Sequence, residues 1–158
     1  MWVCRVQVAG GSPYFLMKPF ELIDHTADIG IKVWGPTLTE LFENAARGMF
    51  VVMTGEGYAA QGSKAEKKLR IDKNRDSFEE ILVSWLSELL YIFNREKIYF
   101  NDFRISSLNS NGMEAEARGV NIDLYQSNLY TEIKAVTFHN LKIEEDVNGF
   151  SCIIIFDV

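Results

Sequence analysis

The chain has 158 residues, of which 47% are hydrophobic and 24% are charged, and its formal net charge at pH 7 is −6. These values are typical of one folded domain and exclude a disordered or collagen-like protein. An acidic protein does not hold nucleic acid through its overall charge, so any nucleic acid would have to be bound by a partner or by a local patch.

The two cysteines, Cys4 and Cys152, lie at opposite ends of the sequence and form no CxxC or similar motif. We interpret them as free thiols and expect a cytoplasmic protein. No apolar run reaches the roughly 18 residues of a membrane span, so no membrane partner is expected. Residues 1–16 lack the apolar core of a signal peptide. We treat them as an N-terminal extension of unknown role, followed by one domain over 17–158.

The first part of the chain predicts two strands and a helix. Apolar residues recur with a period near two over 19–24 and 29–34, which is typical of half-buried strands. Thr37 and Glu40 form a capping box. The apolar residues that follow recur every three or four positions, so we predict an amphipathic helix over 37–54.

A third strand and a second helix come next. A short alternating segment predicts a strand over 67–73. Asp76 or Ser77 can cap a helix over 77–95, whose first turn is acidic, as the helix dipole favours. The wide apolar stripe of this helix indicates that it packs in the core and is not a cofactor-binding element.

The remainder of the chain predicts strands at 98–106, 113–119, 131–136, 138–144 and 150–157. Asn-Gly pairs at 111–112 and 148–149 predict hairpin turns, because glycine adopts positive φ at little cost. This element order predicts an α+β fold, with two helices packed on a mostly antiparallel β-sheet in a single two-layer domain.

The junction between the first two predicted strands carries a candidate metal site. Asp24 and Asp28 flank His25 there, and a turn can bring both carboxylates to one rim, where they would suit a hard cation. The alternative is that Asp24 and Thr26 cap backbone groups in the turn while His25 packs against its neighbours. The spacing leaves both interpretations open.

The C-terminus is a second candidate. The apolar run 152–156 is typical of a buried strand, and Asp157 and Val158 follow it at once. We expect the terminal carboxylate to be held near the sheet beside Asp157, and two like charges so close favour a bound cation or a raised pKa. The alternative is a strand that simply ends there, with Asp157 solvated.

The third candidate is the segment 131–139, which is rich in strand-forming residues and carries Lys134 and His139. A lone lysine on a strand is usually solvated, so the pattern alone does not assign it a role. The sequence contains no serine elbow, P-loop or GxGxxG motif.

These three segments, in this order, resemble the archease family. They read Asp-His-Thr-Ala-Asp-Ile at 24–29, Glu-Ile-Lys-Ala-Val-Thr-Phe-His at 132–139, and an apolar strand that ends on Asp157 and one aliphatic residue. The resemblance extends through both predicted helices and covers roughly residues 18–158. Met17 lies where members of the family commonly begin.

The resemblance implies a non-enzymatic accessory protein of RNA processing. Archeases assist the GTP-dependent, manganese-dependent RNA ligase that joins ends bearing a 3′-phosphate or cyclic phosphate, as in tRNA splicing. They promote guanylylation of the ligase and its multiple turnover. A tRNA methyltransferase is a second partner that the resemblance implies. RNA itself would be held indirectly, through the ligase.

The resemblance also implies a divalent metal ion, calcium by first choice, with magnesium or manganese as alternatives. The matching ligand positions are Asp28, Asp157 and Val158. Val158 stands where isoleucine is common, but its backbone or terminal oxygens would bind the ion, so this difference should matter little. Oxygen ligands favour these metals over zinc.

Four further residues are candidates for a functional contact with the partner. Lys134 matches the lysine of the family motif at 132–139 and is the first choice. The others are Asp24, His25 and His139.

Two other functions stay open at this point. A stand-alone metal-dependent hydrolase would use Asp24, His25 and Asp28, and would act on GTP or phosphoesters without a partner. A chaperone-like modulator of a tRNA methyltransferase would not depend on the metal-site residues.

Overall fold

The computed structural model of the protein describes residues 19–24, 27–72, 77–122 and 131–158. Residues 1–18, which include the expected N-terminal extension, lie outside this part, as do His25 and Thr26. The elements in chain order are β1 (Phe20–Asp24), β2 (Ile29–Gly35), α1 (Leu38–Thr54), β3 (Lys64–Asp72), α2 (Phe78–Glu96), β4 (Ile98–Asn109), β5 (Gly112–Asn121), β6 (Ala135–Val136), β7 (Glu144–Asp146) and β8 (Gly149–Asp157).

The predicted α+β fold, with two helices packed on antiparallel strands, is confirmed. The strands form two antiparallel sheets, where the sequence predicted one. In the five-stranded sheet, β1 pairs with β2 and β2 with β8, while β6 and β7 share the other edge of β8. The three-stranded sheet has the order β3-β5-β4. Both helices contact both sheets, so the helical layer provides the core for each sheet.

Each helix begins at a side-chain cap that the sequence predicts. The Thr37 hydroxyl accepts a hydrogen bond from the Glu40 amide at 3.1 Å, and Ser77 does the same for the amide of Glu80 at 3.2 Å. These caps satisfy amide donors that have no partner within the helix. The alternative cap, Asp76, lies outside the described residues.

The two predicted hairpin turns are also confirmed. Gly112 closes the turn between β4 and β5 with φ 123°, and Gly149 closes the turn between β7 and β8 with φ 131°. In each turn an Asn or Asp side chain accepts a hydrogen bond from the amide two residues further on, at 2.8 Å for Asn109 and 2.7 Å for Asp146. These local bonds set the register of both hairpins.

The segment 131–144 contains less strand than the sequence predicts. Only Ala135–Val136 forms β6 within 131–136, and in place of a strand over 138–144 the chain is irregular until β7 begins at Glu144. Asn140 has φ 52°, which is the left-handed conformation and cannot continue a strand. Alternation of apolar residues therefore gave the wrong structure for 138–143.

Hydrogen bonds made by buried polar groups fix the position of α1 in the core. The Trp85 indole of α2 donates to the carbonyl oxygen of Phe42 at 3.1 Å. At the other end of α1, the Thr54 hydroxyl donates to the Phe50 carbonyl oxygen at 2.9 Å and lies 3.0 Å from the Tyr99 hydroxyl. Because the only proton of the Thr54 hydroxyl is used by Phe50, Tyr99 must be the donor of the second bond.

Burial raises the pKa of Tyr99 above its ordinary value of 10. Tyr99 therefore stays protonated at neutral pH and keeps its proton for this bond. Within the described residues, no helix is long and apolar enough to cross a membrane.

We expect Tyr99→Phe to lower the free energy of unfolding by about 1 kcal/mol, because Thr54 then loses its buried donor. Thr54→Val should cost more, since it also removes the bond to Phe50. The double variant should cost less than the sum of the two, because one interaction is removed in both single variants. Urea denaturation of the four proteins measures these values, and strictly additive losses would contradict the pairing.

Candidate metal and partner-binding site at the end of β8

The last residues of β8 are held from both sides. On one side Ile29 of β2 lies opposite Phe156, so Asp28 and Asp157 are the next residues along the two strands. On the other side Ala135 of β6 lies opposite Asp157. The antiparallel register therefore brings the segments 24–29 and 131–139 to the same end of the C-terminal strand.

Three hydrogen bonds join β6 to β8 at this end. The Lys134 amide donates to the Asp157 carbonyl oxygen at 2.7 Å. The Thr137 amide and hydroxyl both donate to the Ile155 carbonyl oxygen, at 3.0 and 2.9 Å. The sequence analysis assigned no role to Thr137, and its strand-like surroundings gave no signal that its hydroxyl would double this attachment.

A hydrogen bond to the end of α1 positions the chain just before β6. The Thr131 amide donates to the Met53 carbonyl oxygen at 3.2 Å. The last turn of α1, which also holds the Thr54–Tyr99 pair, thus lies against the segment that carries Lys134. The Lys134 side chain itself is exposed.

The acidic residues of the first motif lie on the neighbouring strands. Asp24 ends β1 opposite Ile29, and Asp28 immediately precedes β2. Asp28 is half-buried, whereas Asp24 and Asp157 are exposed. The structure thus places Asp24, Asp28 and Asp157 at one end of the five-stranded sheet.

One predicted residue, His139, stands apart from this group. His139 lies two residues beyond Thr137, which is bonded to Ile155, and so is further from the end of β8 than Lys134. Its amide donates to the Thr137 hydroxyl at 3.3 Å, and its Nε2 lies 3.3 Å from Asn140 Nδ2. His25 lies outside the described residues.

The atoms at this end of the sheet that could ligate a metal are oxygens, which suit a hard cation such as calcium, magnesium or manganese. Asp28 and Asp157 supply carboxylates, and Val158 supplies main-chain oxygens. Among the described residues there is no group of three or more His, Cys, Asp or Glu side chains that could hold a metal. The expected set includes only two such side chains, so a metal here would also need oxygens of the backbone.

The thiol of Cys152 is unsuited to nucleophilic chemistry. Cys152 is a free cysteine in the core, and burial, with a smaller contribution from the charge of Glu79, raises its pKa to about 12. A thiol with such a pKa stays protonated at neutral pH, and the thiolate is the reactive form. Cys4 lies outside the described residues.

Comparison with known proteins identifies relatives along almost the whole chain. The family model described as the Archease protein family matches residues 20–158. A "Protein archease" of Methanosarcina barkeri is 37% identical over 151 residues, covering 89% of this chain and 97% of the relative. Another from Sulfurisphaera tokodaii is 34% identical over 145 residues, covering 90% of this chain and 100% of the relative.

A solved structure is similar as well. The solution structure of protein 1598 of Methanobacterium thermoautotrophicum has a TM-score of 0.70 and 30% sequence identity, with 90% of this chain and 100% of that chain covered. At this similarity the two chains have the same fold.

We expect Thr137→Val to lower the free energy of unfolding by about 1 kcal/mol, because one of the bonds to the Ile155 carbonyl is lost while the side-chain volume is nearly kept. Hydrogen exchange of the Lys134 amide should become faster. Ser106→Ala is the control, since it removes a hydroxyl that donates to the Glu114 carbonyl on the other sheet. Unchanged exchange at Lys134 in Thr137→Val would show that the hydroxyl does not hold β6.

Proposed function

The chain belongs to the archease family, and from this premise we propose that it is a metal-binding accessory protein that activates a GTP-dependent RNA ligase in tRNA splicing or RNA repair. The proposal is that it promotes guanylylation of the ligase and its multiple turnover, and that it is not itself an enzyme. The observation that carries the proposal is the register of β2 and β8: Ile29 lies opposite Phe156, so their neighbours Asp28 and Asp157 lie at the same end of the two strands.

The pairing of these strands makes a cation useful. Two carboxylates at adjacent strand ends repel each other, and the repulsion is stronger where one of them is half-buried, as Asp28 is. Asp28, Asp157 and main-chain oxygens of Val158 would hold the ion. When bound, it would supply a fixed positive charge that joins the two strand ends and can attract an anionic group of the partner.

Lys134 is proposed as the residue that contacts the partner. Its amide is bonded to the Asp157 carbonyl oxygen, while its side chain is exposed. The backbone is thus fixed beside the proposed metal ligands, and the ammonium group is available as a compact positive charge for a phosphate or carboxylate. Asp24, at the end of β1, would border the same surface.

Calcium or manganese should bind the isolated protein and stabilise it, whereas Asp28→Asn should bind neither ion measurably. At a free metal concentration of 100 times Kd, the free energy of unfolding should rise by about 2.7 kcal/mol. Isothermal titration and thermal unfolding with each metal measure this. Asp72→Asn, an exposed acidic residue at the end of β3, is the matched control and should behave as the parent protein does.

Asp28→Ala and Lys134→Ala should fold normally but stimulate the ligase about tenfold less or not at all. Asp28→Ala removes a proposed metal ligand, and Lys134→Ala removes a hydrogen bond to a charged group, which is worth about 1.5–3 kcal/mol. The assay is guanylylation of the ligase and multiple-turnover joining of RNA with substoichiometric accessory protein. Lys68→Ala, on the other sheet, is the matched control.

The outcomes of this assay separate the alternatives. Full stimulation by well-folded Lys134→Ala would remove that residue from the mechanism. Full stimulation by both variants would favour a chaperone-like role toward RNA-modifying enzymes. Hydrolysis of GTP by the purified protein alone would indicate a stand-alone hydrolase instead.

A further inference from the structure

Two lysines lie on either side of β8 on the outer face of the five-stranded sheet. Lys32 of β2 is directly opposite Ile153 of β8. On the other side of β8, Lys142 lies two residues before Glu144, which is paired with Ser151. Both lysines, with Asn140, Ser151 and Glu144, line a small surface cavity of about 180 Å³.

Within the described residues, the positive charges at this cavity are not neutralised by ion pairs, because neither Lys32 nor Lys142 has a carboxylate oxygen within ion-pair distance. The Lys32 ammonium lies 5.2 Å from the centre of the Trp34 ring, an interaction that holds the cation at the surface but leaves its charge in place.

The outer face of the three-stranded sheet is arranged differently. There the cationic side chains lie beside carboxylates: Arg118 is 2.6 Å from Glu116, and Arg70 is 3.3 Å from Asp72. Surface depressions of about 580 and 590 Å³ lie on this sheet, and each is lined by some of these paired charges together with a single lysine, Lys68 in one and Lys64 in the other. Of these three cavities, the small one on the five-stranded sheet is the one lined by two lysines, neither of which forms an ion pair with a described residue.

Acidic residues near the cavity set a limit on its positive charge. Glu144 lies in the lining, and Glu21 of β1 is opposite Lys32 in the register. Of the charged residues that line the cavity, two are cationic and one is anionic, so the lining carries a net positive charge in a protein whose total charge is −6.

We infer that this cavity binds a phosphate group. Its volume is below the range of about 300–1,000 Å³ that is typical of sites for drug-sized ligands, yet several times the roughly 30 Å³ that a water molecule occupies. A phosphate group accepts hydrogen bonds, and the lining offers four donor groups: the ammonium groups of Lys32 and Lys142, the side-chain amide of Asn140 and the hydroxyl of Ser151. Asn140 lines the cavity, and its Nδ2 carries two protons, so one remains for a phosphate oxygen beside the contact of 3.3 Å with His139 Nε2.

This site is separate from the proposed metal site. Ile153 precedes Asp157 by four residues along β8, which is about 13 Å in an extended strand. The inference goes beyond the proposed function, because binding of phosphate at this cavity needs neither the metal nor the ligase. The phosphate can belong to an RNA strand or to a free nucleotide, and the two sources are distinguished below.

The test measures binding of three probes to the full-length protein without metal: inorganic phosphate by NMR titration, GMP in the same way, and a fluorescent single-stranded oligouridylate by anisotropy. Lys32→Gln and Lys142→Gln should each weaken binding about tenfold, since one charge-assisted contact is lost. Glu144→Gln should strengthen binding, because it removes the carboxylate from the lining. Lys68→Gln makes the same charge change on the other sheet and should have no effect.

The salt dependence distinguishes the sources. If the RNA backbone is the natural occupant, oligouridylate should bind more tightly than GMP, with a slope of log K against log salt near −1.4 for about two phosphate contacts. Tighter binding of GMP would assign the site to a nucleotide.

Three results would overturn the inference. They are equal weakening by Lys68→Gln, absence of binding of all three probes at millimolar concentration, and tighter binding of polyglutamate than of any phosphate probe. The last would assign the cavity to an acidic protein partner. Circular dichroism of each variant verifies its fold, and the predicted gain in Glu144→Gln cannot arise from misfolding.

Discussion

The pairing of β8 along both of its edges is the constraint on which the rest of the structure depends. β2 covers one edge, and β6 and β7 divide the other. Ile154 and Phe156 direct their side chains into the core, where both are fully buried, so a shift in register by one residue would place apolar side chains in water. The positions of Asp157, Asp28 and Lys134 relative to each other follow from this register. Asp28 and Asp157 meet in this way although more than 100 residues separate them in the sequence.

The helices support this arrangement from the inner side. α1 packs against β2 and reaches β4 of the other sheet. At Gly48 the helix comes so close to the larger sheet that a Cβ atom would lie 2.8 Å from the end of the Ile31 side chain, which would have to shift. The last turn of α1 then accepts the bond from the Thr131 amide. Packing of the core and placement of the segment that carries Lys134 are therefore linked through one helix.

The sequence predicts those parts of the fold that depend on local chemistry. Thr37, Ser77 and the two Asn-Gly turns act through atoms a few residues away, and all four behave as predicted. The partners of β8 involve residues distant in sequence, and periodicity gave no information about them. The resemblance of the motifs was needed to group Asp28 with Asp157. The segment 138–143 was mispredicted because alternation of side chains cannot reveal the left-handed conformation of Asn140.

The total charge of −6 and the proposed phosphate site are compatible because electrostatic interactions at a surface are local. At physiological ionic strength the Debye length is about 8 Å, which is less than the roughly 13 Å that separates Ile153 from Asp157 along the strand. The carboxylates at the end of β8 are thus largely screened from Lys32 and Lys142. The composition predicted that an acidic chain could hold nucleic acid only through a partner or a local patch, and the two lysines beside Ile153 are the patch that we propose. One sheet can therefore present carboxylates for a cation at the end of its C-terminal strand and cationic groups for an anion near the middle of the same strand.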